Sequence, residues 1–334
     1  MSQKINVAIN GFGRIGRNLC RILYNHPFIN IVAINDLANA KTLAHLLKYD
    51  SIHGILPATV TSDTKHIFID QKKIPILSEV TPADCPWHLF DVDVVVEATG
   101  KFKSRASLLG HLKKRVKKVI LSAPPLEDSI KTVVIGVNEH IINPSDQIIS
   151  NASCTTNNAA PMIKIINDLC GIEQAYITTV HSYTTDQSLH DQPHNDLRRA
   201  RAAGQSIVPT TTGAAKALTK IFPQFKDVIG GCGIRVPVPN GSLTDITFNV
   251  KKQVSSVEIN EAFEYAAKNE LKGILSYTED PIVSIDIKGN PHSCVFDSSM
   301  TSVIGQMVKI IGWYDNEIGY SNRLVDLIPL ICKN

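Results

Sequence analysis

A reacting cysteine must lose its proton when it attacks, and a base must stand close enough to take that proton. Cys154 and His181 are the pair whose sequence surroundings offer both. Ser150-Asn151-Ala152-Ser153-Cys154-Thr155-Thr156-Asn157 puts polar capping residues ahead of a segment that runs with helical character toward Leu169. Cys154 is therefore expected at a helix N-terminus, where unpaired N–H groups and the dipole favour a thiolate. Pro161 falls inside the pattern and calls for a kink or an irregular first turn. Thr178-Thr179-Val180-His181-Ser182-Tyr183-Thr184 reads as a strand that delivers His181 to a sheet edge. Alone, neither residue says much, because a lone cysteine is usually a small buried hydrophobe. Cys20, Cys85, Cys170, Cys232, Cys294 and Cys332 read that way.

The elements that must position this pair differ between the two halves of the chain. Up to Ser150 the pattern alternates: Lys4–Ile9 as a strand, Ile15–Tyr24 as an amphipathic helix, Asn30–Ile34, Val92–Glu97 and Lys118–Leu121 as further strands. Such alternation predicts a parallel sheet with helices on both faces. After Ser150 the strand signals follow one another with few helices between them. They are Ala175–Val180, Gly233–Pro237, Asp245–Lys251, Val283–Asp286 and Val308–Trp313, which predicts a mainly antiparallel sheet in an α+β domain. Gly230-Gly231-Cys232-Gly233 predicts an irregular start to its strand. Glu317 to Ile331 closes the chain as an amphipathic helix. The polar stretch 184–204 has little periodicity, and a long loop in a compact domain usually has a task. The expected divisions are 1–150, 151–316 and a terminal helix 317–334 that packs back on the first part.

Gly11-Phe12-Gly13-Arg14-Ile15-Gly16 supplies a second chemistry. A lone GxGxxG is weak, but this one follows a strand and opens a helix. Gly11 permits the turn, Gly13 lets the backbone approach a pyrophosphate, and Gly16 lets helix and strand pack closely. The pyrophosphate then meets free N–H groups at the helix start. Asp36 ends the second strand at the spacing of an acid that accepts from ribose hydroxyls. It would repel a 2′-phosphate, so NAD is expected over NADP. Together these features predict a Rossmann-type parallel-sheet domain.

Composition narrows the classes. The 334 residues carry a formal net charge of +3, with 43% apolar and 19% charged residues. No strong field points to nucleic acid or to a membrane surface. Arg198-Arg199-Ala200-Arg201 lacks the interleaved aromatics of a nucleic-acid patch. Seven cysteines without a CxxC suggest neither a disulfide framework nor a zinc site, and reduced thiols fit a cytoplasmic protein. Met1 to Asn10 shows no signal-peptide pattern, and no apolar run reaches the length of a membrane span.

The residues resemble one family closely. Asn10-Gly-Phe-Gly-Arg-Ile-Gly-Arg17, Ser153-Cys154-Thr155-Thr156-Asn157, His181-Ser-Tyr-Thr184, Asp196-Leu-Arg-Arg-Ala-Arg201, Pro209-Thr-Thr-Thr-Gly-Ala-Ala-Lys216, Arg235-Val-Pro-Val and Trp313-Tyr-Asp-Asn-Glu317 are similar to phosphorylating glyceraldehyde-3-phosphate dehydrogenases. The match runs end to end in the same order.

The resemblance implies Cys154 as nucleophile and His181 as base and ion-pair partner. It implies a C3-phosphate pocket at Thr184 and Arg235, an inorganic-phosphate pocket at Ser153, Thr155, Thr212 and Gly213, and Arg199 between them. It adds Asn10, Phe12, Arg14, Ile15, Thr99, Gly100 and Ser122 to the NAD contacts. Asn316 resembles the ligand of the nicotinamide carboxamide, with Tyr320 bordering the ring. It also implies a homotetramer in which the 184–204 loop serves a neighbouring subunit's cofactor site. The sequence departs from the family in places. Asn158 stands where many members have a second cysteine. Val80 follows Ser78-Glu79 where a basic residue is common, which predicts weaker adenine contacts. Gln192 replaces a commonly apolar residue beside Pro193, which bears on coenzyme selectivity. The nearest alternative is erythrose-4-phosphate dehydrogenase, which generally lacks the Tyr-Thr after the histidine and the Thr-Thr-Thr-Gly run. A non-phosphorylating aldehyde dehydrogenase would not need a second anion pocket. A non-catalytic NAD-binding protein would not need Cys154 and His181.

Overall fold

The β-branched run Ile5–Asn10 forms the middle of a nine-stranded sheet, because both of its faces are covered and such residues suit a buried strand. It pairs in parallel with Ile29–Asn35 and with Val94–Glu97. Lys118–Leu121, Ile148–Ser150 and Lys131–Thr132 continue the parallel order on one side. Lys72–Leu77 continues it on the other, and there an antiparallel edge of His66–Ile69 and Val60–Ser62 is added. The computed structural model describes residues 4–113 and 115–332. The first three and last two residues of the expected divisions thus lie outside the described residues, as does Lys114.

Contacts group the chain into two units. One holds the residues up to Val133, Glu139–Ala152 and the chain from Ser321 onward. The other holds Val134–Asn138 and Ser153–Tyr320. The last helix, Ile318–Cys332, begins in the second and continues in the first.

The second unit is built on an eight-stranded, mainly antiparallel sheet. Its order is Val208–Thr210, Ile229–Val236, Ile172–Ser182, Ser242–Val250, Met307–Tyr314, Cys294–Asp297 and Leu275–Thr278, with Ser302–Ile304 also on Met307–Tyr314. Two of its pairings are parallel: Ile172–Ser182 with Ile229–Val236, and Leu275–Thr278 with Cys294–Asp297. The fold is thus α/β, a parallel-sheet domain joined to an α+β domain.

Two sequence expectations are corrected. Val283–Asp286 is not a strand, because Ser284–Ile287 is a 3₁₀ turn. The Asp286 carboxylate accepts the Val283 N–H at 2.8 Å, and the Asp286 N–H returns to the Val283 carbonyl at 3.0 Å. That local closure outcompetes the β-branched pattern. Ile229–Val236 is regular from its start, paired along its whole length with Ile172–Ser182 and, at Gly233–Arg235, also with Val208–Thr210. Its glycines answer close packing: a Cβ on Gly231 would lie 2.8 Å from the Ile177 carbonyl oxygen, and one on Gly230 would lie 3.1 Å from the Tyr176 ring. Pro161 is absorbed without ending its helix, which runs unbroken from Cys154 to Cys170.

Candidate active site

Ser153 caps the helix Cys154–Cys170 in extended conformation, its Oγ accepting the Thr156 N–H at 3.2 Å. Cys154 is therefore the first helical residue, next to N–H groups with no intrahelical acceptor. The residue before the cap, Ala152, is held at φ +56°, where a side chain costs roughly 1–2 kcal/mol. Backbone strain of this kind collects where a nucleophile must be presented at a set angle.

The sheet supplies the base. Register pairs His181 with Arg235 on one neighbouring strand, and Arg235 with Val208 on the next. His181 Nε2 lies 3.4 Å from Cys154 Sγ. Its Nδ1 is 2.7 Å from the Ser182 carbonyl and 2.7 Å from Arg235 Nη1, which also donates to that carbonyl at 3.0 Å. The base-competent tautomer carries its proton on Nδ1, donated to Ser182, and presents the Nε2 lone pair to the sulfur.

Burial works against either charge alone. It pushes the Cys154 thiol up, while Arg235, the N–H groups of Cys154 and Thr155, and the Thr155 hydroxyl pull it down. Burial holds His181 down to about 3, with Arg235 adding repulsion. A proton moving from Sγ to Nε2 creates both charges together, so that each screens the other. Removing the partner leaves the thiol with the burial penalty. His181→Ala should therefore slow alkylation of Cys154 by iodoacetamide at pH 7 by about 10- to 100-fold. An unchanged labelling rate would show that His181 does not assist the thiol.

Tyr314 completes the cluster and was not legible as a site residue. It is buried, lies edge-on to His181 at 5.9 Å, and bonds Thr155 Oγ1 at 2.9 Å and Thr179 Oγ1 at 3.0 Å. Thr155 is thus buried with its hydroxyl shared between Tyr314 and the sulfur.

The other anion residues sit as follows. Arg235 and Thr184 are both half-buried. Arg199 is paired with Asp186, and its Nε and Nη2 donate to Thr210 Oγ1 at 3.0 Å and the Thr211 carbonyl at 3.2 Å. Thr212 Oγ1 accepts the Ala214 N–H at the start of the helix Ala214–Ile221. Gly213 caps that helix with nothing within 4 Å of where a Cβ would stand. Asn316 is buried, its Oδ1 accepting from Ser182 Oγ at 2.9 Å and Ser242 Oγ at 3.2 Å. That leaves its Nδ2 as the donor a carboxamide oxygen needs. Asp315 fixes this segment by accepting from Asn240 Nδ2 and from the N–H groups of Gly289, Glu317 and Ile318. Tyr320 is buried in the same unit.

In the first unit, a cleft of about 290 Å³ opens at the strand ends and is lined by Asn10, Gly11, Gly13, Asp36 and Thr99, among others. The glycines fit a dinucleotide. A Cβ on Gly11, at φ +93°, would lie 2.7 Å from the Thr99 nitrogen, and one on Gly16 would lie 2.1 Å from the Gly11 carbonyl oxygen. Gly13 is open. Asp36 is preset, accepting the Phe12 N–H at 2.7 Å and the Ala38 N–H at 3.0 Å. Phe12 is buried, and the Arg14 side chain is turned to Asp50, which leaves the backbone of Arg14 and Ile15 at the helix start. Gly100, at φ +69°, follows Thr99, and Ser122 donates its N–H to the Glu97 carbonyl at 3.0 Å. Val80 lines the cleft, exposed, where a basic side chain was the common expectation. Gln192 donates to Ser188 Oγ at 2.5 Å. Among the described residues no cluster suits a metal ion, and no helix is long and apolar enough to cross a membrane.

Comparison with known proteins decides the family. The model described as glyceraldehyde 3-phosphate dehydrogenase, NAD binding domain, matches residues 5–105, and the one for the C-terminal domain matches residues 153–316. The chain belongs to the glyceraldehyde-3-phosphate dehydrogenase family. It is 54% identical over 330 residues to glyceraldehyde-3-phosphate dehydrogenase 2 of Streptomyces avermitilis, covering 98% of each chain. It is 51% identical over 337 residues to the Mycobacterium leprae enzyme of that name, covering 99% of each. With glyceraldehyde-3-phosphate dehydrogenase 1 of Bacillus subtilis the identity is 50% over 331 residues, covering 98% of each. Family membership carries an NAD-binding domain with it, and the cleft bounded by Gly13 and Asp36 is where this chain's residues suit that coenzyme.

Proposed function

We propose that this chain oxidises glyceraldehyde 3-phosphate with NAD and inorganic phosphate to 1,3-bisphosphoglycerate. The observation that carries the reading is Cys154 Sγ at a helix start, 3.4 Å from His181 Nε2 and beside Arg235. The sulfur attacks the aldehyde carbon while its proton passes to Nε2, giving a thiohemiacetal. The Cys154 N–H and protonated His181 stabilise the developing oxyanion, an interaction worth about 3 kcal/mol in comparable sites. His181 then returns its proton to that oxygen, which completes the thiohemiacetal and leaves the imidazole neutral. NAD held in the cleft bounded by Gly13 and Asp36 would supply the hydride acceptor for that carbon. His181 takes up the hydroxyl proton, and a thioester on Cys154 remains. A phosphate oxygen then attacks the thioester carbonyl, the acyl–sulfur bond breaks, and Cys154 is restored as the acyl phosphate leaves. Thr184 and Arg235 hold the C3 phosphate, and Ser153, Thr155, Thr212 and Gly213 hold the attacking phosphate, with Arg199 between.

The NADH-formation assay tests this reading with each aldehyde, with and without phosphate. Turnover should favour glyceraldehyde 3-phosphate and should depend on phosphate. Erythrose 4-phosphate is one carbon longer; with its phosphate anchored alike, its aldehyde overshoots Cys154, and a misplacement of about 1 Å can cost on the order of 100-fold. Faster turnover of erythrose 4-phosphate would move the chain to the sister activity. Full turnover without phosphate, giving the free acid, would make it a non-phosphorylating dehydrogenase.

Asp36 gives a second test. Its carboxylate faces the cleft and repels a 2′-phosphate, so the chain should prefer NAD by kcat/KM. Asp36→Gly should narrow the NAD-to-NADP ratio at least about tenfold. An unchanged ratio would remove Asp36 from coenzyme choice.

The assembly inferred is a cytoplasmic homotetramer with no nucleic-acid or membrane partner. Its support is the exposure of Leu189, Leu197 and Ile207 along the 184–207 segment, apolar surface that another copy would cover.

A further inference from the structure

Behind the coenzyme cleft lies a buried polar chain that the reaction does not use. Glu97 is fully buried at the end of its strand, opposite Asn10. Its carboxylate accepts four hydrogen bonds. Oε1 takes the Thr99 N–H at 2.8 Å and the Thr99 hydroxyl at 2.5 Å, while Oε2 takes Asn10 Nδ2 at 2.5 Å and His111 Nε2 at 3.1 Å. Trp87 Nε1 donates to His111 Nδ1 at 2.9 Å. An indole N–H can only donate, so His111 must accept on Nδ1 and carry its proton on Nε2, aimed at Glu97. On the other side, Asn10 Oδ1 accepts from Asn35 Nδ2 at 2.7 Å, and Asn35 exchanges hydrogen bonds with the backbone of Glu79 at 2.8 and 2.9 Å. The direction of every bond is thereby set from Trp87 to Glu79.

The two ends of this chain face different surroundings. Trp87 is buried in an apolar cluster with Cys85, Val95, Leu108 and Val119, and His111 is fully buried; neither lines the cleft. Asn10, Asn35, Glu79 and Thr99 all line it. Thr99 also forms the wall against which Gly11 turns, with no room for a Cβ between them. A shift of Glu97 must therefore move both sides of the glycine turn. A buried carboxylate with four donors and no cation is costly to desolvate, and an apolar core would have been the cheaper filling.

The geometry points to Trp87, His111 and Glu97 as positioning residues for the coenzyme: they hold Asn10 and Thr99 at the spacing NAD requires, although only Glu97 touches either of them. This rests on the NAD-dependent reading above. Trp87→Phe keeps the aromatic packing and deletes only the first donor. It should weaken NAD binding about threefold to tenfold by calorimetry. ADP-ribose should lose the same factor, because the affected cleft belongs to the first unit. The kcat at saturating NAD and the labelling rate of Cys154 should stay within twofold. Glu97→Gln leaves one acceptor oxygen for four donors and should weaken NAD binding by about tenfold or more. If Glu97→Gln does not fold, Trp87→Phe still decides. A Trp87→Phe protein that unfolds more easily but binds NAD and ADP-ribose as the parent does would make the chain purely structural and overturn the inference. A parent protein that binds neither ligand would instead sink the coenzyme reading itself.

Discussion

Cys154→Ser should lower kcat by a factor on the order of 10⁴ or more, while NAD binding stays within about twofold. A serine hydroxyl in the same place keeps the shape and the helix-end N–H groups. It loses the property that matters, because its proton is far harder to remove and an oxygen ester replaces the thioester. The binding half of the expectation follows from where the residues lie: Cys154 belongs to the second unit, while Gly11, Gly13, Asp36 and Thr99 line a cleft in the first. The remaining cysteines serve as internal controls. Burial pushes Cys20 and Cys85 up to about 12, so iodoacetamide should label Cys154 well before either. An active serine variant, or even labelling across all thiols, would remove Cys154 from the chemistry.

Arg235→Leu should raise the KM for the aldehyde phosphate about 100-fold and lower kcat less than tenfold. The guanidinium is half-buried, so its attraction for a dianion is only partly screened. Some effect on kcat is expected because Nη1 also touches His181 and the Ser182 carbonyl. Thr212→Ala should instead raise the KM for inorganic phosphate, since its hydroxyl sits at the start of a different helix. Steady-state kinetics with each substrate varied in turn separates the two. If Arg235→Leu altered only the phosphate KM, the assignment of the two anion pockets would be reversed.

Much of this site was legible because its signals are local. The glycine turn, the capping run before Cys154 and the strand ending at His181 each lie within a few residues, where periodicity and capping rules act. What escaped depends on register between distant strands. That Arg235 stands beside His181 follows from the pairing of Ile172–Ser182 with Ile229–Val236, which no local pattern encodes. Tyr314 joins the site only because Met307–Tyr314 and Ile172–Ser182 both flank Ser242–Val250. Glu97 lies on a strand and His111 in a turn, and their hydrogen bonds span 87 and 14 positions, beyond any local pattern. The 3₁₀ turn at Ser284–Ile287 was hidden for the opposite reason, because one short-range bond from Asp286 outweighed a β-branched pattern. The pairing of Arg199 with Asp186 likewise comes from loop folding that no local pattern encodes.

The central claim is that the acyl group passes through a thioester on Cys154. Mixing the protein with glyceraldehyde 3-phosphate and NAD in phosphate-free buffer, quenching in acid and mapping the peptides by mass spectrometry tests it most directly. The expected result is one acyl group per active site on the peptide containing Cys154, formed together with one NADH and discharged as acyl phosphate when phosphate is added. NADH formation without an adduct, an adduct on another cysteine, or an adduct that phosphate does not discharge would contradict it.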